Sequence, residues 1–183
     1  MKLLRTIALD PSDTFVFDVP AEPGEWAVSG AFRFCDRDPG KLGGKDRWSF
    51  RGGFLGLQSW GWSTLVQIVK ATPVDRAEVV ELLANRLVDR FGAPDLATAR
   101  FAAEEEVVFT QSLCTHPIDT LIAVHRTAVD GDIREAFRTL QRREGAAGHG
   151  KAFTFLEVED GEGAPADGSL DLRAELSREA KRS

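Results

Sequence analysis

Cys114, His116 and His125, with Cys35 as an available fourth, are the side chains of this sequence best suited to hold a metal. Thiolate sulfur and imidazole nitrogen are the ligands zinc prefers. The Cys-x-His spacing nonetheless lacks the close-set ligand pairs of structural zinc sites, and Cys35 lies far away in the chain. The plain alternative makes Cys114 a small buried apolar residue that ends a helix, with His116-Pro117 as the turn beyond it. Cys114 would also be a nucleophile if His116 or His125 served as its base. A helix C-terminus works against that role, because its negative dipole end disfavours a thiolate. No Gly-x-Ser-x-Gly elbow offers serine chemistry in its place.

Three further groups could carry a function. Glu104-Glu105-Glu106 would supply carboxylates for acid–base work with His125. Three successive residues are spread over about 200° of a helix, so at most two share a face. A solvated helix face is the ordinary explanation, with one glutamate turned inward to meet Arg126 or Arg138. His125, Arg134 and Arg138 would make an anion site if their sheet face borders a cavity. Trp60-Gly61-Trp62 would form the wall of a ligand pocket, although aromatic residues more often cover a core. The glycine-rich stretches at 40–44 and 52–56 match neither a phosphate loop nor a dinucleotide fingerprint.

The elements that must position these residues can be read from periodicity and punctuation. Leu4 to Leu9 and Thr14 to Val19 read as strands. Glu25 to Phe34 is a clearer one, with Trp26, Val28, Phe32 and Phe34 on one face. A short helix is expected around 45–52, inside a glycine- and aromatic-rich segment. Ser63 to Ala71 reads as a strand buried on both faces. Thr72, Pro73 and Asp75 open a helix that Gly92 and Pro94 close. A second helix runs from Asp95 to Leu113, with Phe101, Ala102, Val108, Phe109 and Leu113 on its buried side. The short connection makes the two helices antiparallel neighbours. Residues 121–140 form a hairpin turning at Asp130-Gly131, where both positions must accept positive φ. In that register Val124 faces Phe137 and Arg126 faces Glu135, while His125, Thr127, Arg134 and Arg138 share the opposite face. A last strand is expected from Lys151 to Val158. Strands separated by a helix pair predict an α+β fold, a mostly antiparallel sheet with the antiparallel helix pair packed on one face.

Composition limits the function. The 183 residues carry a net charge of −6, with 43% apolar and 28% charged residues, which describes a globular chain with its own core. No concentrated basic stripe offers itself to a phosphate backbone, so nucleic acid is not an expected partner, and an acidic chain is repelled by anionic lipid. Two widely spaced cysteines do not make a disulfide framework. With no signal peptide and no long apolar run, the expected location is the cytoplasm. Residues 1–158 read as a single domain. Residues 159–183 read as an acidic, partly disordered tail, in which Leu170, Leu172 and Leu176 would support a short helix from Asp171 to Lys181 on a partner surface.

The strings Gly24-Glu25-Trp26-Ala27-Val28-Ser29-Gly30-Ala31-Phe32, Gly61-Trp62-Ser63-Thr64-Leu65-Val66-Gln67 and Thr120-Leu121-Ile122-Ala123-Val124-His125-Arg126-Thr127 resemble a family of short, functionally uncharacterised bacterial proteins, chiefly alphaproteobacterial. The likeness extends to about residue 158 and brings no catalytic residues with it. It implies a link to redox-enzyme maturation. The expectation that follows is a non-catalytic accessory or binding protein, with a protein partner, a homodimer through a sheet edge or the Trp-rich segment, and no cofactor. The rival is a small zinc-binding or acid–base enzyme built on Cys114, His116 and His125.

Overall fold

A computed structural model describes residues 1–141 and 156–158. The expected strand from Lys151 is therefore seen only as Leu156–Val158, and the expected helix at Asp171 to Lys181 lies outside the described residues. The architecture is α+β. The strands are β1 (Lys2–Ile7), β2 (Trp26–Val28), β3 (Phe54–Gly56), β4 (Trp62–Ser63), β5 (Leu65–Lys70), β6 (Leu121–Val129), β7 (Asp132–Gln141) and β8 (Leu156–Val158). They form one antiparallel sheet in the order β4-β3-β2-β1-β5-β6-β7-β8. The helices are α1 (Ser12–Val16), α2 (Gly44–Gly52), α3 (Pro73–Phe91) and α4 (Leu96–Ser112).

The helix pair is punctuated as its sequence dictates. Thr72 and Asp75 close a reciprocal capping box around Pro73, and Gly92 ends α3 in the left-handed region with φ 66°. Asp95 then caps α4 by accepting from the Thr98 amide. The α4 face turned to the core differs from the expected one. Ala99, Ala103, Val107 and Thr110 are buried, whereas Phe101, Ala102, Val108 and Phe109 lie outside and Leu113 is half-buried. The small residues let α4 sit close to α3, β1 and β2, which a ridge of phenylalanines would prevent.

Side chains alternate between two cores. Leu3, Trp26, Val28, Leu55, Trp60 and Trp62 join Val79, Val80, Leu83, Ala103 and Val107 of the helices in the larger cluster. Leu4, Ala27, Phe54, Val66, Ile68, Ile122 and Val124 form the smaller. Phe54 and Phe137 have ring centroids 6.2 Å apart, yet β2, β1, β5 and β6 lie between their strands in the sheet. The sheet is therefore curled until its flanks meet over the smaller cluster.

Three expected elements differ. Thr14 to Val19 is not a strand. Pro11 starts the short helix α1, and Asp13 folds inward to accept from the Thr64 amide and, at 2.5 Å, the Thr64 hydroxyl. Only Phe17 of the alternating apolar residues is buried; Phe15 and Val19 face out. The strand expected over Glu25 to Phe34 stops at Val28, because Gly30 takes φ 77° and Ala31–Phe34 continue as a 3-10 turn. A side chain at Gly30 would meet Leu55 Cβ at 2.6 Å. The strand expected from Ser63 is divided, since Ser63 ends β4 and β5 begins at Leu65. At the β4 edge, Trp62 donates its amide to Val19 O and its carbonyl accepts from the Ala21 amide, with Pro20 bridged to Trp62 between them.

Candidate anion-binding face

The β6–β7 hairpin turns through Asp130 at φ 54° and Gly131 at φ 91°, as a two-residue turn in this register requires. Pairing runs from Leu121↔Leu140 to Val129↔Asp132, and it sets Val124 against Phe137 and Arg126 against Glu135. Adjacent residues of β6 therefore serve opposite sides of the sheet.

Arg126 points inward and is 1% exposed. Its Nε donates to Glu135 Oε1 at 2.7 Å, and one terminal nitrogen donates to Gly53 O at 2.6 Å and Phe50 O at 3.2 Å. The other terminal nitrogen donates to Ser29 O and, at 3.2 Å, to Ser29 Oγ. Ser29 Oγ in turn donates to Glu135. Glu106 of α4 stands close by and accepts from the Gly30 amide at 3.2 Å. Burial raises the Glu106 carboxyl above its ordinary range and Glu135 adds to that, while the Gly30 amide and Arg126 oppose it. Glu106 is thus the inward-turned member of the glutamate run, and Arg126 is the arginine beside it. Burial likewise pushes Arg126 down, with the glutamates restoring its charge. This cluster is closed on itself and serves the fold.

His125 points the other way and is exposed. Ala136 lies opposite it, so Arg134 and Arg138 occupy the two diagonal positions on the same face. Partial burial lowers the His125 pKa first, and Arg51 at the end of α2 and Arg138 lower it further. Sequence reading placed His125, Arg134 and Arg138 on one face. It missed Arg51, which arrives from a distant helix and carries no local signal. Among the described residues, no carboxylate forms an ion pair with Arg51 or Arg134.

The remaining candidates lie apart. Cys114 is buried just beyond α4, its thiol donating to Thr110 O at 3.4 Å, and burial pushes its pKa up to about 11 against a small opposing pull from Lys2. His116 lies in the turn that follows, where its carbonyl accepts from Lys2 Nζ at 2.6 Å. Cys35 is exposed, and burial, Asp36 and Glu106 raise its pKa too. Among the described residues no three of His, Cys, Asp or Glu converge as a metal requires, so Cys114, His116 and His125 are not gathered into a ligand set. A thiol held this far from ionisation is a poor nucleophile at neutral pH. Trp60 and Trp62 are both buried. Phe34 stacks on Trp62, and the Arg33 guanidinium lies over both indoles. Glu104 pairs with Arg76 at 2.5 Å across the α3–α4 interface.

Among the described residues, no helix is long and apolar enough to cross a membrane. Residues 1–153 match a family whose members have no known function. No curated protein and no solved structure matches the chain.

Proposed function

The chain belongs to the family of unknown function DUF6505, and we propose that it is a non-catalytic binding protein of the cytoplasm whose outer β6–β7 face takes an anionic group of a protein partner. One observation carries this reading. A chain of net charge −6 gathers His125, Arg134 and Arg138 on one exposed face beside Arg51, and neither Arg51 nor Arg134 is ion-paired by a described residue. Guanidinium groups bind carboxylate and phosphate oxygens in a two-pronged geometry, and an imidazole between them adds a donor. The family match carries no link to redox-enzyme maturation, and none is part of the proposal.

Sulfate is a suitable probe, because its charge is constant over the range in which imidazole titrates. An NMR titration of the His125 ring should show its pKa rising when sulfate replaces chloride at equal ionic strength. Arg51→Ala with Arg134→Ala should abolish that rise. A His125 titration indifferent to sulfate would remove the basis for this function.

A further inference from the structure

The face of α4 turned away from the core is strongly apolar. Phe101 is 69% exposed, Val108 56% and Phe109 37%. With Glu104, Glu105 and Ser112 they line a shallow groove of about 540 Å³. Phe101, Val108 and Phe109 are seven and eight positions apart, two helical turns, and so form one ridge. Scattered exposed apolar residues need no explanation, but a continuous groove of them marks a contact surface.

We propose that this groove seats the chain's own C-terminal segment, Leu170 to Lys181. Its starting point favours this. β8 runs antiparallel to β7 and ends with Val158 opposite Thr139, two residues from Phe137. The ring of Phe137 lies 5.9 Å from that of Phe109, so the described strand ends beside the groove. Residues 159–169 can span about 35 Å at roughly 3.3 Å per residue, whereas the groove from Phe101 to Ser112 is only about 16 Å long.

The segment also has the matching chemistry. Leu172, Leu176 and Ala180 recur every four residues, the spacing of one helix face, and Asp171 is a residue type that caps such a helix. Arg173, Arg178 and Lys181 balance Asp171, Glu175 and Glu179 along the segment, and Arg178, Lys181 and Arg182 outweigh Glu179 at its end, which is therefore basic. The apolar groove offers that end one open carboxylate: Glu104 is bound by Arg76, and Glu105 has no ion-pair partner among the described residues. A second copy docked through the same face would instead bring the glutamates of both chains together, which like charge opposes.

The test uses the full chain. In a Cys35→Ser background, a nitroxide is attached at Ser177→Cys; Cys114 is buried, with its thiol near 11, and stays unlabelled. The amide signals of residues 101–112 should lose most of their intensity. Adding Leu172→Glu and Leu176→Glu should restore it, with no change elsewhere in the spectrum. Full intensity along α4 in the labelled chain would overturn the proposal. So would broadening transferred to an unlabelled, isotope-enriched chain in a mixed sample, since the occupant would then come from a second copy.

Discussion

Residues 125 and 126 are neighbours on one strand, and the two sides of the sheet they serve have opposite electrostatics. On the inner side Arg126 donates to three backbone carbonyls, a hydroxyl and Glu135, with no solvent to help. On the outer side His125, Arg134 and Arg138 stand beside Arg51, and no described carboxylate pairs Arg51 or Arg134. An arginine whose donors are all taken by its own fold has nothing left to offer a ligand. Arg51 and Arg134, gathered by the fold and paired by no described carboxylate, are the cations available for recognition.

Arg126→Met should sharpen the contrast most. It takes the ion-pair partner from Glu135, which keeps only the Ser29 hydroxyl, and the Arg126 donors from the carbonyls of Ser29, Phe50 and Gly53, and the expected loss is about 3–5 kcal/mol in chemical denaturation. A loss below 1 kcal/mol would mean that the inner network is no more structural than the outer face. Glu106→Gln should act in the other direction. Because burial raises the Glu106 pKa above its ordinary 4.5, the wild-type chain is favoured below that value and loses stability as pH climbs through the raised one. Glutamine has no such dependence, so the variant's melting temperature should gain on wild type between acid and neutral pH. The gain should be absent if Arg126 needs the Glu106 charge. The smallest effect belongs to the outer face. Arg134→Ala should change stability by less than about 0.5 kcal/mol. His125→Gln should do little at neutral pH but lessen the acid sensitivity, since a depressed imidazole loses its contribution as pH falls below the ordinary 6.5. Only a mild effect is expected from so exposed a ring.

Much of this contrast was legible in the sequence. Asp130-Gly131 fixed the turn, the turn fixed the register, and the register separated Arg126 and Glu135 from His125, Arg134 and Arg138. The caps of α3 and α4 were equally local, a matter of Thr72, Asp75, Gly92 and Asp95. What could not be read are the places where a backbone is claimed by a distant side chain. The strand from Trp26 ends because Arg126 takes the carbonyl of Ser29 and Glu106 takes the amide of Gly30; neither partner is near in sequence. The rotation of α4 is hidden from periodicity for a related reason. Periodicity rewards large apolar residues such as Phe101 and Phe109, whereas close helix packing selected Ala99 and Ala103.

The β4 edge has a consequence for the behaviour of the chain at high concentration. A sheet margin is a template for aggregation when it presents a row of free amides and carbonyls. Here the margin is only Trp62–Ser63. The amide and carbonyl of Trp62 are already occupied by Val19 and Ala21, and Pro20 between them has no N–H to offer. A neighbouring molecule that tried to extend the sheet from this side would find the ladder closed after a single residue, so the Trp-rich end is guarded against strand-to-strand growth by the chain that leads into it.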